Sequence, residues 1–139
     1  MYASFIEELA ALGLGGTSEP VAADDVAALR SRYPGIPEDF LAYLAEVGAG
    51  DAIGWMVYGS LLTPDEIFDD ETASEIGNVL FVADDFAGTH VGYRPDDDWA
   101  LIKLDHAGLD EWPVYGGFLE FVREIVRLES AATTTRTRG

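Results

Sequence analysis

Asn78-Val79-Leu80-Phe81-Val82-Ala83-Asp84-Asp85-Phe86-Ala87-Gly88-Thr89-His90-Val91-Gly92-Tyr93 is the stretch on which the fold of this 139-residue chain turns. Val79 to Ala83 is an unbroken apolar run, rich in β-branched and aromatic residues and too short to fill a helix. Such a run reads as a strand covered on both faces. Asp84-Asp85 stops it and Gly88 supplies a flexible turn position. His90-Val91-Gly92-Tyr93 then reads as the return strand. The hairpin is expected at the centre of a sheet that helices cover.

Outward from the hairpin, helices come first. Phe5, Ile6, Leu9 and Leu12 make one apolar stripe behind Ser4 and Glu7, which have capping-box spacing, and Gly13, Gly15 and Gly16 close it. After a loop from Thr17 to Ala23, Asp24 or Asp25 is placed to cap a second helix through Val26 and Leu29. Pro37, Glu38 and Asp39 open a third helix with stripe Phe40, Leu41, Leu44 and Val47, closed by Gly48-Ala49-Gly50. Ile53 to Tyr58 reads as a strand closed by Gly59. Thr63-Pro64-Asp65-Glu66 starts a short helix, and Asp69 to Gly77 is an acidic connection.

Beyond the hairpin, Arg94 to Asp98 is a turn and Trp99 to Leu104 a strand. Glu111 to Tyr115 is an edge strand interrupted by Pro113. Phe118, Phe121, Val122, Ile125 and Leu128 follow the helical period over a last helix from about Gly117 to Glu129. The Thr-rich segment 131–139 reads as a disordered tail. The strands are joined by turns rather than crossover helices. The expectation is one α+β domain over residues 1–130. Its sheet is an antiparallel or mixed meander of about four to six strands, covered by N-terminal helices and one C-terminal helix.

The totals narrow the function. The chain has 26 acidic and 8 basic side chains, a net charge of −18. From Tyr33 to Val122 the bases are Arg94 and Lys103, against 19 acids. Nucleic-acid binding needs the opposite sign, because affinity comes largely from neutralising phosphates. Anionic membrane surfaces are disfavoured for the same reason. A basic protein partner is favoured; simple solubility is the other use of such charge. There is no cysteine, which removes disulfides and thiol catalysis and fits a reducing cytoplasm. No apolar run approaches a membrane span, and the acidic start does not read as a secretion signal.

Laid out this way the chain resembles the SUKH superfamily over roughly Val26 to Val126. Ile36-Pro37-Glu38-Asp39-Phe40-Leu41 resembles the family's Leu-Pro-x-Asp helix start, and Gly48-Ala49-Gly50 stands where it has Asn-Gly-Gly. Val57-Tyr58-Gly59 is similar to its strand end. Phe81 to Gly88 resembles its Ala-x-Asp-Gly-Gly-Gly turn, and Phe118-Leu119-Glu120-Phe121 its Ser-Phe-x-x-Phe entry to the last helix. The Asn is missing from the first glycine motif, and Phe86-Ala87 replaces small residues in the turn. Bacterial members of this family are mostly immunity proteins against polymorphic toxins. The resemblance implies a non-enzymatic domain that neutralises a cognate toxin by contact. Its alternative is an intracellular scaffold or regulatory domain.

The residues themselves supply candidate contacts. Asp84 and Asp85, with Asp96, Asp97 and Asp98 in the next turn, stand to approach each other across the hairpin. Clustered carboxylates can hold calcium or act as acid and base. The alternating oxygen spacing of a calcium loop is absent, however, so no metal or cofactor is expected, and Asp is common in turns for backbone reasons. A small metal-binding enzyme built on these aspartates is the least favoured reading. His90 and His106 lack a second ligand at metal spacing, and no nucleophile elbow or phosphate loop occurs. Trp55 and Trp99 read as core. Trp112 and Tyr115, in an irregular stretch, are open between packing and recognition. The expected binding face is Asp69, Asp70, Glu71, Asp84, Asp85, Asp96, Asp97 and Asp98, with Trp112 or Tyr115 as anchor. A toxin that attacks nucleic acid, a nuclease for instance, must be basic to hold phosphate and so fits that face.

Overall fold

A computed structural model describes residues 1–105, 107 and 109–138, with side chains described as far as residue 129. In chain order the described residues form α1 (Ala3–Leu12), α2 (Ala23–Arg32), α3 (Glu38–Glu46), β1 (Gly50–Ala52) and β2 (Trp55–Leu62). There follow α4 (Pro64–Ile67), α5 (Asp70–Ile76), β3 (Leu80–Asp84), β4 (Thr89–Arg94), β5 (Ala100–Asp105), β6 (Asp110–Pro113) and α6 (Gly117–Arg138). The sheet has six strands in sequence order, β1 to β6, every pair antiparallel. This is the α+β meander that the turn-linked strands imply.

The quoted hairpin is β3 and β4, the middle pair. Both faces of β3 are covered because the apolar run has no polar alternation. Leu80, Val82 and Ala83 enter a large cluster under α1, α2, α3 and α6. Phe81 points the other way, into a smaller cluster with Ile76, Val79, Ile102 and Leu104, over which Ile67 and Phe68 pack. A register shift between Phe81 and Ala83 breaks the strict two-residue alternation and lets two successive residues serve the large core. That core is aromatic. Phe118 of α6 meets Phe40 and Tyr43 of α3 edge-on, each at 5.1 Å between ring centres. Phe118, Phe40 and Tyr43 are fully buried.

Several local readings change. Ser4 does not cap α1: the N-cap is Tyr2, without a side-chain bond, and the Tyr2 amide donates instead to Glu46 Oε1 at 2.9 Å. Tyr2 belongs to the core, its hydroxyl donating to the Asp39 carbonyl at 2.6 Å, while Ile6 of the expected stripe is exposed. Asp24 and Asp25 lie inside the first turn of α2, whose N-cap is Ala22. Ile53 is not in a strand. It has φ 55 and with Gly54 (φ 78) forms the turn between β1 and β2, and β2 runs through Gly59 to Leu62. The acidic connection from Asp69 to Gly77 contains α5. The backbone of α6 continues to Arg138, past the expected close at Glu129. Of the segment 131–139 read as a tail, 131–138 is helical in backbone and Gly139 lies outside the described residues.

The two edges of the sheet differ. Along β1, the expected loop from Thr17 to Ala23 lies as a strap. The Thr17 amide donates to the Asp51 carbonyl at 2.9 Å, Glu19 and Ala49 exchange backbone bonds at 2.9 and 3.0 Å, and Val21 N–H donates to the Leu44 carbonyl. Gly48 permits it: with φ 116, a Cβ there would stand 2.0 Å from the Glu19 carbonyl. Nothing comparable lies on the outer side of β6 among the described residues, and all four of its residues are exposed.

Candidate protein-interaction surface

The carboxylates proposed for recognition fall into three groups, set by the elements that carry them. Asp69 is the N-cap of α5, its Oδ1 accepting from the Thr72 amide at 2.8 Å, and Asp70 and Glu71 occupy the first turn. That amide holds the Asp69 carboxyl below its ordinary range. The helix exists because an acidic cap and first turn complement its positive end, although it buries only Ile76.

Asp84 and Asp85 build the turn between β3 and β4. Asp84 Oδ1 accepts from the Phe86 amide at 2.9 Å, and Asp85 Oδ1 accepts from Ala87 and Thr89 amides at 2.9 and 3.0 Å. Asp84 Oδ2 accepts from the Tyr58 hydroxyl at 2.6 Å, and burial, reinforced by this carboxylate, pushes the Tyr58 phenol well above its ordinary range. These two carboxylates are therefore largely engaged in turn chemistry. They hold Phe86 at the tip with φ 64 and 60% exposed.

Asp96, Asp97 and Asp98 are exposed on the turn between β4 and β5. They do not approach Asp84 and Asp85, contrary to the expectation from the hairpin. β4 runs between the two turns, and its six residues span about 20 Å. Instead Asp96 Oδ2 accepts from Asn78 Nδ2 at 3.0 Å, just beyond the C-terminal end of α5. The groups at Asp69–Glu71 and Asp96–Asp98 thus lie toward the two ends of one helix, and the Asp84–Asp85 turn lies at the other end of β4 from Asp96–Asp98, where Phe68, next to Asp69, packs on His90, the strand partner of Asp84.

Arg94 fixes this side of the sheet, a role the sequence did not announce. Its guanidinium donates to Glu111 through Nε at 3.0 Å and through Nη2, and to the Ile76 and Asn78 carbonyls. The bond from Arg94 holds the Glu111 carboxyl below the ordinary range. From Thr63 to Asp98 the chain has eleven carboxylates and one base, Arg94, already committed. Arg30 and Arg32 are on α2, Arg123 and Arg127 on α6, and Lys103 faces Phe121 of α6. The two layers differ in balance rather than in sign: α4 and α5, with the Asp69 cap, carry six carboxylates and no base, whereas α1, α2, α3 and α6 carry ten carboxylates interspersed with six arginines.

Trp55 and Trp99 pack against the large core, Trp55 on Phe121 at 5.1 Å and Trp99 between Tyr33 and Tyr93. Trp112 and Tyr115 are 48% and 84% exposed and line a groove of about 500 Å³ between β6 and α6. This groove is away from the α4–α5 layer, because Trp112 pairs with Lys103, on the face toward Phe121. His90 makes edge-on ring contacts with Phe68 and Phe81 at 5.1 and 5.6 Å. His106 lies outside the described residues. Among the described residues no group of three or more His, Asp or Glu is placed to hold a metal ion, and no helix is long and apolar enough to cross a membrane.

Comparison with family models, with curated proteins and with solved structures finds no match to this chain.

Proposed function

We propose that this chain is a non-enzymatic protein-binding domain of SUKH type, an immunity protein that neutralises a cognate toxin by direct contact. The observation that carries the reading is the α4–α5 layer. Its six carboxylates, Asp65, Glu66, Asp69, Asp70, Glu71 and Glu75, are all exposed with no base among them, and the neighbouring Arg94 of β4 is spent on Glu111. Uncompensated charge concentrated on one layer is unfavourable for the free protein and favourable against a basic surface. A toxin that grips phosphate presents such a surface, and an acidic layer seated in its cleft excludes the substrate. Association with nucleic acid or anionic lipid is opposed by the same layer, which repels phosphate. The contact acts from the cytoplasm, where a cysteine-free chain needs no oxidising environment.

The test is co-expression with the products of neighbouring genes. The tagged chain is expected to retain one basic, toxin-like product stoichiometrically and to restore growth of cells expressing it. Recovery of no such product, together with no protection, contradicts the proposal.

A further inference from the structure

Phe86 is the one exposed phenylalanine of the seven, at 60%. Its backbone has φ 64, a region that bulky side chains rarely adopt. The turn is nonetheless fixed on both sides of it. Asp84 Oδ1 takes the Phe86 amide, Asp85 Oδ1 takes the Ala87 and Thr89 amides, and the Asp85 amide donates to the Thr89 carbonyl at 3.1 Å. A strained conformation is thus held in place for a ring that gains little by burial. In the free protein the left-handed backbone and the apolar exposure are both unfavourable.

The surroundings of the ring are of one sign. Phe86 stands at the end of the sheet where the β1–β2, β3–β4 and β5–β6 turns lie. Strand pairing gathers Asp51, Asp84, Asp85, Asp105 and Asp110 there: Asp51 and Asp84 flank Met56, Thr89 pairs with Asp105, and Asp105 pairs with Asp110. None of the five is buried, and the three turns contain no lysine or arginine. The nearest base along these strands, Lys103, lies two residues inward and is turned over the Phe121 ring of α6. The tip is also continuous with the acidic layer. Asp84 takes the hydroxyl of Tyr58, which packs on the smaller cluster beneath α4 and α5. His90, the strand partner of Asp84, meets Phe68, the residue before Asp69. Trp112 and Tyr115, the expected anchors, open on the other face.

We infer that Phe86 is the apolar anchor of the acidic interface: its ring enters a hydrophobic pocket of the basic partner, and the lysines or arginines rimming that pocket meet the carboxylates at this end of the sheet. A preset turn delivers the ring with little loss of conformational freedom on binding, and aromatic anchors ringed by polar contacts carry a large share of interface affinity. A second copy is disfavoured as occupant, because it brings another net charge of −18 to the same place. The inference rests on the binding-domain reading above and names the residue through which that face grips.

The full chain is tested free and with its partner. In the free protein Phe86→Gly, which suits a left-handed backbone, is expected to unfold at a urea midpoint no lower than the parent's. A lowered midpoint shows that the ring serves the fold and overturns the inference. With the basic product retained on co-expression, the same variant should dissociate about tenfold faster while its association stays salt-dependent. The photo-crosslinker p-benzoylphenylalanine should attach to that product from position 86 and not from position 115. An unchanged dissociation rate, or crosslinks from 115 alone or from neither position, overturns the inference. Association that still slows when Asp69, Asp70 and Glu71 are neutralised then leaves the acidic-layer reading standing. Crosslinks from 86 to a second copy assign the tip to self-association and also overturn it. Crosslinks from 86 to a product that does not harm cells sink the toxin reading alone.

Discussion

At Gly92 the two central strands approach more closely than a side chain allows. A Cβ there would lie 2.8 Å from both the Leu80 carbonyl oxygen and Val79 Cγ1, at the register shift opposite Phe81. Backbone and a β-branched core residue cannot withdraw without opening the hairpin. Gly92→Ala is therefore expected to cost about 1–3 kcal/mol, read as a lowered urea midpoint with unchanged slope; an unchanged midpoint refutes the close approach. Glu111 makes a second prediction. Its carboxyl is held below the unfolded value by Arg94, so the ionised form is favoured on folding. The contribution is complete above the unfolded carboxylate pKa of about 4.3 and is lost as pH falls through the lower folded value. Glu111→Gln should lower stability at neutral pH by on the order of 1 kcal/mol or less, since the pair is partly exposed. The gap to the parent chain should close in acid, and a pH-independent gap would assign the loss to packing. The Arg94–Glu111 pair could not be read from sequence, because seventeen positions separate partners that only the strand order brings together.

Elements were legible where the pattern carried packing information. The apolar run of β3 and the Val91 and Tyr93 positions of β4 are buried as their pattern predicts, and the 3.6-residue stripe of α6 is buried at Phe118, Phe121 and Val122 and partly at Ile125, whereas Leu128 at its end is 62% exposed. The Thr63-Pro64-Asp65-Glu66 start was equally clear, and α4 has the reciprocal Thr63–Glu66 capping box. α5 was not legible, because Asp70-Glu71-Thr72-Ala73-Ser74-Glu75-Ile76 has no apolar stripe and sends one side chain inward. The β1–β2 turn was missed because Ile53, a β-branched residue, is rare at positive φ. The strap at Thr17–Val21 is held to β1 mainly by backbone bonds, with the Asp51 amide to Thr17 Oγ1 at 3.4 Å as a side-chain addition, and such bonds leave little signal in the sequence. A helix so lightly buried opens locally at little cost. Amides of α5 are expected to exchange with solvent faster than those of β3 and β4 by native-state hydrogen exchange. Equal protection would show that α5 is part of the cooperative core.

For the whole molecule, burial of phenols sets the alkaline limit of stability. Tyr2, Tyr43 and Tyr93 are buried, and desolvation raises each phenol well above its ordinary value. Their neutral forms are favoured on folding, so stability is whole below the unfolded pKa of about 10 and falls as pH rises beyond it. Phenolate absorbance from Tyr2, Tyr43 and Tyr93 is expected to appear only together with unfolding. Ionisation of these three phenols with the fold intact would contradict their burial. The total charge was plain in the sequence, but its arrangement was not: the hairpin suggested one aspartate patch, whereas β4 separates two turns and α5 links a different pair of groups. Recognition through the α4–α5 layer is the central claim. It is tested most directly by the association rate of the partner captured on co-expression with the full chain as ionic strength is varied. The account predicts a fast rate that falls steeply with salt, and a drop of about tenfold at low salt when Asp69→Asn, Asp70→Asn and Glu71→Gln are combined. A rate indifferent to salt and to those three substitutions would contradict it.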